Sequence, residues 1–130
     1  MADPSALPEQ RLVAVIAEDE PLLRLLAVQS LDDAGFTTFA ADNAVAALNI
    51  CKARQGEVDV LFTDIRMPGS MDGLELAHRV RERWPGVVIL IASGNIFVGR
   101  DQLPEGARFL PKPYDLDQVV DLIRQMRCGR

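Results

Sequence analysis

The stretch VDVLFTDIRMPGSMDG, from Val58 to Gly73, joins an apolar segment to an acidic turn rich in proline and glycine. Its first part, VDVLFT (Val58–Thr63), has the composition of a β-strand, and Asp64 follows where that strand ends. A carboxylate at the edge of a sheet is costly to desolvate unless a positive group approaches it. The stretch therefore predicts a strand with a charged site at its carboxyl end.

Strand-like and helix-like segments alternate on both sides of this stretch. LVAVIA (Leu12–Ala17) and VVILIA (Val87–Ala92) are apolar throughout, as strands buried on both faces of a parallel sheet are. FTTFA (Phe36–Ala40) is more polar, which favours an edge strand, and ARFL (Ala107–Leu110) is a short fifth strand. Five strands that alternate with helices predict a parallel, doubly wound α/β sheet with helices on both faces.

Proline and polar capping residues predict where the helices begin. Pro21 fits the first turn of a helix, and Asn43 fits an N-cap. Asp72 and Glu75 form an acidic capping-box pattern before the third helix, and Asp115 is the predicted N-cap of the amphipathic last helix. The basic residues of the third helix are given no role in the site: His78 is interpreted as a surface or half-buried residue, and Arg79, Arg81 and Arg83 as a solvated face.

The bulk composition indicates one soluble globular domain. The chain has 130 residues, 48% of them hydrophobic and 25% charged, and a net charge of −5, which argues against a nucleic-acid-binding or anionic-membrane-binding surface. The longest apolar runs are six residues, and the start MADPSALPEQ does not resemble a secretory signal. We expect a cytoplasmic protein with a disordered leader over residues 1–10 and one domain over residues 11–130.

Charged and polar residues follow the strands of the predicted sheet. In a parallel, doubly wound sheet the working site lies outside the carboxyl ends of the strands. Three or four carboxylates, one hydroxyl and one amine would therefore meet in one crevice. These residues are Glu18, Asp19 and Glu20 after the first strand, Asp64 after the third, Ser93 after the fourth and Lys112 after the fifth.

The carboxylates of this crevice need a cation, since packed carboxylates repel one another, and Mg²⁺ prefers oxygen ligands. Asp19 and Asp64 could supply two ligands, and a carbonyl in the loop after Asp64 could supply a third. Lys112 adds a compact positive charge suited to a phosphoryl oxygen, and Ser93 could hold another oxygen. Because an aspartate carboxylate can attack phosphorus, these residues predict a phosphoryl-accepting site with Mg²⁺ as cofactor.

Four segments match a known family in order and approximate spacing: VIAEDEP, LFTDIRMPGSMDGLEL, ILIASGN and RFLPKPY. Together they extend over Leu12 to about Met126. On these motifs the sequence resembles the receiver domain of two-component response regulators. The resemblance implies a flavodoxin-like (βα)5 fold with strand order 2-1-3-4-5, which accepts a phosphoryl group from a phosphohistidine.

The resemblance also implies the metal ligands and the acceptor. Asp64 resembles the phosphoacceptor, which is also a metal ligand in this family. Asp19 resembles a direct Mg²⁺ ligand, and Glu18 a ligand that acts mainly through water. Arg66 lies where the family uses a backbone carbonyl on the metal.

Three further positions match residues that bond the phosphoryl group or respond to it. Lys112 resembles the lysine that bridges the phosphoryl oxygens, and the Lys112–Pro113 peptide is often cis in this family. Ser93 resembles the hydroxyl residue that bonds the phosphoryl group and moves with it as part of the switch. Phe109 matches the switch aromatic.

The sequence departs from the family pattern in two places. MPGSMDG has one residue more than the common form MPxMDG, which should alter only the loop over the site. Ser93 and Lys112 are 19 positions apart, about three fewer than usual. This shortening, together with Gly99 and Pro104, predicts a short or irregular fourth helix.

We therefore expect a phosphoacceptor receiver whose partner is a histidine kinase or a histidine phosphotransfer protein, and which signals through contacts with another protein. Since the sequence ends at Arg130, just after the last helix, a stand-alone receiver is expected, and a piece of a hybrid histidine kinase stays open. We expect a monomer or weak dimer with no nucleic-acid or membrane partner. It should not be an enzyme beyond self-catalysed phosphotransfer and autodephosphorylation.

Two rival functions fit the sequence poorly, and a third stays open. A phosphatase or phosphotransferase with an aspartyl-phosphate intermediate would carry DxD after the first strand, which here ends in Glu18-Asp19-Glu20. A flavodoxin-like flavin site would need a phosphate loop, and the acidic AEDEP would repel a flavin phosphate. A receiver-like docking scaffold that is never phosphorylated stays open as the alternative.

Overall fold

The chain folds into alternating strands and helices. A computed structural model describes residues 11–94 and 98–128, so the predicted leader over residues 1–10 lies outside the described residues. The strands are β1 (Val13–Ala17), β2 (Thr37–Ala41), β3 (Val60–Asp64), β4 (Val88–Ser93) and β5 (Arg108–Pro111). The helices are α1 (Pro21–Asp33), α2 (Ala44–Ala53), α3 (Gly73–Arg83) and α4 (Leu116–Cys128), with a 3₁₀ turn over Arg100–Gln102.

All five strands form one parallel sheet in the order β2-β1-β3-β4-β5, which confirms the predicted fold and strand order. The central strand, β3, ends one residue later than predicted. Asp64 is therefore the last residue of the strand itself and pairs in register with Ala92 of β4. No helix in the described part of the chain is long and apolar enough to span a membrane.

Two apolar cores cover the two faces of the sheet. Alternation along β3 sends Leu61 into the core under α2 and α3, and Phe62 into the core under α1 and α4. Ile89 and Leu90 of β4 divide between the two cores in the same way. Because both faces are covered, the central strands can be apolar throughout, as their sequences predict.

The predicted N-caps are confirmed. The side chains of Asn43, Asp72 and Asp115 each accept a hydrogen bond from a backbone N–H two or three residues later, at 2.8 to 3.0 Å. The predicted capping box is only partly realised, because the Glu75 carboxylate pairs with Arg79 at 2.6 Å. Local polar signals therefore set the beginnings of α2, α3 and α4.

The connection between β4 and β5 contains no α-helix among its described residues. Arg100–Gln102 form a single 3₁₀ turn, which confirms the prediction of a short or irregular fourth helix. Two side chains of α3 hold this connection. The His78 Nε2 lies 2.8 Å from the carbonyl oxygen of Gln102, and the Arg81 Nε donates to that of Glu105 at 2.7 Å.

The surface interpretation of the basic residues on α3 is wrong for Arg81. Its half-buried guanidinium also donates to the carbonyl oxygens of Pro85 and Val87, at 2.8 and 2.7 Å. The other three basic residues are exposed, as predicted. Arg81 therefore ties the end of α3 both to the start of β4 and to the β4–β5 connection.

Candidate functional site

Three charged side chains converge at the carboxyl-end edge of the sheet because they follow the same strand alternation. Glu18 follows β1, Asp64 ends β3 and Lys112 follows β5. Each lies two positions after a residue of the core under α1 and α4, so the alternation directs all three toward that face. The preceding core residues are Ile16, Phe62 and Leu110.

Asp64 is the buried acid at the centre of this edge, with 9% of its surface exposed. Its Oδ1 accepts a hydrogen bond from the Ile65 N–H at 2.9 Å, and its Oδ2 accepts one from the Lys112 Nζ at 3.2 Å. Its backbone carbonyl accepts from the Thr63 hydroxyl at 2.8 Å. Two donors, one of them charged, therefore offset the cost of burying this carboxylate.

Lys112 lies between two carboxylates. Its Nζ is 3.2 Å from the Asp64 Oδ2 and 3.5 Å from the Glu18 Oε1. Burial opposes the charged ammonium, but the two carboxylates outweigh it and raise the pKa of Lys112 above its ordinary value. Burial also raises the pKa of Glu18, although the Glu20 N–H and the Lys112 ammonium counteract this. Lys112 is therefore held in its charged form beside the two acids.

Glu18, Asp19 and Asp64 form a cluster of candidate metal ligands. One carboxylate oxygen from each residue lies within 4.8 Å of the others. Asp19 is exposed, so the cluster opens to solvent on that side. Glu20, which the sequence also places after β1, instead caps α1, and its carboxylate accepts from two backbone N–H groups of that helix at 3.2 and 2.9 Å. The acidic cluster therefore has three members rather than four.

Arg24 holds the loop that carries Glu18 and Asp19, and sequence reasoning missed it. Its Nη1 donates to the carbonyl oxygen of Glu18 at 3.0 Å and lies 3.5 Å from that of Asp19. Nothing in the motif indicates this contact, because an arginine near the start of a helix is ordinary. Arg24 therefore fixes the backbone from which two of the acids project.

The other predicted site residues lie around this edge. Ser93 ends β4 and is buried, and its carbonyl accepts from the Lys112 N–H at 3.0 Å. The half-buried Phe109 packs against the core under α2 and α3. Arg66 is exposed in the loop two residues after β3. The structure thus brings the three acids and the lysine together, and Ser93, Phe109 and Arg66 lie around this cluster.

Tyr114 is a second neighbour of the site that sequence reasoning missed. Its ring packs edge to face on Phe62, with ring centroids 5.7 Å apart and planes at 69°. Burial, followed by the charges of Glu18 and Asp64, raises the pKa of Tyr114 to about 12. The phenol therefore stays protonated at neutral pH.

The Lys112–Pro113 peptide, which precedes Tyr114, is cis, as the resemblance implies.

Comparison with known proteins shows which family shares this arrangement. The family model of the response regulator receiver domain matches residues 14–124. The response regulator receiver protein CpdR of Brucella abortus (strain 2308) is 33% identical over 115 residues, which are 86% of this chain and 93% of CpdR. The sensor kinase CckA of the same organism is 34% identical over 117 residues, which are 86% of this chain but only 12% of CckA.

A solved structure agrees over almost the whole fold. The crystal structure of a response regulator receiver protein from Sinorhizobium medicae WSM419 superposes with a TM-score of 0.86 at 26% identity, covering 92% of this chain and 97% of that one. The matched residues 14–124 include the acidic cluster, Lys112 and all of the sheet except Val13. The chain belongs to the response regulator receiver domain family.

Proposed function

We propose that Asp64 accepts a phosphoryl group from a phosphohistidine on a histidine kinase or a histidine phosphotransfer protein. The observation that carries this proposal is the environment of the Asp64 carboxylate, which is buried at the end of β3 and lies 3.2 Å from the Lys112 ammonium. A carboxylate oxygen attacks the phosphorus, the phosphorus–nitrogen bond breaks, and its electron pair stays on the imidazole nitrogen. The product on Asp64 is an acyl phosphate.

Lys112 and Ser93 have the proposed task of holding the transferred group. The Lys112 ammonium already faces the Asp64 carboxylate, so it can stabilise phosphoryl oxygens with little rearrangement. Ser93 is the last residue of β4, the strand that pairs with β3, so its hydroxyl is the proposed second donor to that group. Water later hydrolyses the acyl phosphate, so the chain is modified and reset rather than turning over a separate substrate as an enzyme does.

The acidic cluster fits Mg²⁺. All its donors are carboxylate oxygens within 4.8 Å of one another, and the exposure of Asp19 suits an ion that keeps several of its waters. Asp19, Asp64 and the backbone carbonyl of Arg66 are the proposed direct ligands, with Glu18 acting through water. Bound Mg²⁺ supplies positive charge that offsets the repulsion between these acids and an incoming phosphoryl group.

Phosphorylation of Asp64 can be tested by mass spectrometry of the intact protein after incubation with acetyl phosphate and Mg²⁺. We expect a gain of one phosphoryl group in the wild type and in the matched control Asp121→Asn, an exposed acid of α4. We expect no gain in Asp64→Asn, because an amide is not a nucleophile toward phosphorus at neutral pH. A wild-type chain that gains no mass would instead favour the docking scaffold.

The metal assignment is tested separately by calorimetric titration with Mg²⁺. We expect Asp19→Asn to weaken Mg²⁺ binding by about ten- to hundredfold, because the variant loses one charged oxygen ligand. Bound Mg²⁺ should also raise the unfolding temperature of the wild type more than that of the variant. Equal Mg²⁺ affinity in the two proteins would remove Asp19 from the ligand set.

The proposed partner must bring its phosphohistidine to the rim beside Asp19. Helix α1 begins two residues after Asp19 and carries three of the exposed large apolar side chains of the chain, Leu22, Leu25 and Leu26. An apolar surface next to the opening suits a protein partner better than a small phosphodonor.

The proposed compartment is the cytoplasm. The free thiols Cys51 and Cys128 fit a reducing compartment, so we place this exchange there.

The proposed output is a contact with another protein. A phosphoryl group adds about two negative charges beside Lys112, which biases the edge toward an arrangement that binds it. We expect Ser93→Ala to be phosphorylated nearly as well as the wild type, while its phosphorylated form binds a target protein less tightly. Full target binding by phosphorylated Ser93→Ala would exclude Ser93 from the switch.

A further inference from the structure

We propose that Thr63 and Gly73 are positioning residues that clamp the backbone carbonyl of Asp64. Together they set where the Asp64 carboxylate and the proposed carbonyl ligand of Arg66 lie. This carbonyl clamp, defined as Thr63 and Gly73 around the Asp64 carbonyl, rests on the proposed function, because it acts on the proposed acceptor and metal site. Neither residue touches the reacting atoms.

Gly73 is required because α3 begins directly against the end of β3. A Cβ at position 73 would lie 1.7 Å from the Asp64 carbonyl oxygen and 2.8 Å from the Thr63 Oγ1. The first distance is far inside van der Waals contact and involves backbone, so either α3 or the end of β3 would have to move. Since Gly73 does not have a positive φ, space rather than backbone conformation demands glycine here.

Thr63 and Gly73 also make the hydrogen bonds that close the clamp. The Thr63 hydroxyl donates to the Asp64 carbonyl at 2.8 Å, and the Gly73 N–H donates to the Ile65 carbonyl at 2.8 Å. These two bonds fasten consecutive carbonyl groups just before Arg66. They therefore constrain where the next carbonyl along the chain, that of Arg66, can lie.

The loop closed by the clamp has buried ends and an exposed middle. Ile65 and Met71 are buried, whereas Pro68, Gly69 and Ser70 between them are exposed. The exposed middle of MPGSMDG leaves room at the surface for the additional residue. The ends of the loop, where the clamp lies, are the parts that determine the geometry of the site.

A purely structural role for Gly73 predicts a change in stability alone. Because an added Cβ would meet the Asp64 backbone, Gly73→Ala should lower the stability of the fold in either case. The clamp predicts in addition that the variant binds Mg²⁺ less tightly. The affinity for Mg²⁺, measured without any phosphodonor, therefore separates the two roles.

The test is calorimetric titration of the full chain with Mg²⁺, combined with urea unfolding in the absence of divalent ions. We expect Gly73→Ala to weaken Mg²⁺ binding by about ten- to hundredfold, as loss of support behind metal ligands does. Thr63→Val, which keeps the shape but loses the hydroxyl, should weaken it by about three- to tenfold, the value of one hydrogen bond. Thr63→Ser retains the hydroxyl and should bind Mg²⁺ nearly as the wild type does.

Gly35→Ala is the matched control for lost stability. Gly35 has a φ of +99° and no atom within 4 Å of an added Cβ, so alanine strains its backbone without intruding on a neighbour. This variant should lose stability yet keep wild-type Mg²⁺ affinity. It shows whether a general loss of stability is enough to weaken the metal site.

The outcomes separate the clamp from the proposed function. Wild-type Mg²⁺ affinity in both Gly73→Ala and Thr63→Val overturns the clamp and leaves the metal site intact. If Gly73→Ala does not fold, the threonine pair decides, because equal affinities in Thr63→Val and Thr63→Ser overturn the clamp equally well. A wild-type chain that binds no Mg²⁺ overturns the proposed metal site itself.

Discussion

The carboxyl-end edge of the sheet and the β4–β5 connection are held by different kinds of bond. At the edge, the Lys112 ammonium lies between the carboxylates of Glu18 and Asp64. At the connection, His78 and Arg81 of α3 bond backbone carbonyls. A substitution at the edge therefore changes a balance of charges, whereas one at the connection changes only how a backbone segment is held.

This difference separates residues of the candidate site from residues that only stabilise the fold. Burying ions costs free energy that their mutual attraction only partly returns, so the edge is a poor device for stability alone. A bond from a charged donor to a backbone carbonyl desolvates less and stabilises the fold. We therefore expect changes at the edge to alter Mg²⁺ binding and stability together, and changes at the connection to alter stability alone.

Lys112→Ala should produce the largest effect. It leaves two largely buried carboxylates without their cation, so we expect the free energy of unfolding at pH 7 without divalent ions to fall by about 2–3 kcal/mol. Urea unfolding followed by circular dichroism measures this loss. Phosphorylation by acetyl phosphate should continue to a reduced extent, because Asp64 itself is retained.

Two variants make the Lys112 result specific. Lys52→Ala removes the other lysine, which is exposed on α2, and should change stability by no more than about 0.5 kcal/mol. Adding Glu18→Gln to Lys112→Ala should restore part of the loss, because one of the two unpaired carboxylates becomes neutral. Full stability in Lys112→Ala would show that the lysine does not compensate the two acids.

Arg81→Ala should have an intermediate effect confined to the connection. It removes donors to three backbone carbonyls, and we expect the free energy of unfolding to fall by about 1–2 kcal/mol. Mg²⁺ affinity should stay within about twofold of the wild type, because the carbonyls that Arg81 bonds lie before the starts of β4 and β5, at the opposite end of these strands from the acidic cluster. Unfolding in urea and titration with Mg²⁺ measure the two quantities.

Arg83→Ala is the matched control, since Arg83 is exposed on the same helix and lies 5.1 Å from the centre of the Trp84 ring. We expect it to cost no more than about 0.5 kcal/mol. A loss as large in Arg83→Ala as in Arg81→Ala would argue against the three carbonyl contacts as the cause. A drop in Mg²⁺ affinity in Arg81→Ala but not in Arg83→Ala would show that the two regions are energetically coupled.

The same contrast explains what the sequence predicts well. Asp64 and Lys112 are predictable because each comes directly at the end of an apolar strand, and parallel strands bring such ends to one edge. The fold follows from the same apolar strands, since burial on both faces leaves a recognisable pattern. The short, irregular connection between β4 and β5 is also predictable, because glycine and proline act locally.

What the sequence does not predict are contacts made by ordinary-looking residues across the fold. Arg81 has the spacing of a surface arginine, yet it bonds a carbonyl 24 positions away. Glu20 stands among acids that suit a metal, yet local geometry makes it the cap of α1. Gly73 matches a motif, but the reason for it, an approach of helix to strand, exists only in three dimensions.

His78→Ala should give the smallest loss of stability, and its effect should be confined to the β4–β5 connection. The His78 Nε2 lies 2.8 Å from the Gln102 carbonyl but is exposed, so we expect a loss of only about 0.5 kcal/mol. Hydrogen exchange by NMR should show the amides of Gln102 and Leu103, which close the 3₁₀ turn, exchanging about twice as fast, while those of β3 are unchanged. Because a carbonyl only accepts, the His78 Nε2 donates in this bond. Faster exchange in β3 would show that the connection and the central strand open together, and the two regions would then be one cooperative unit.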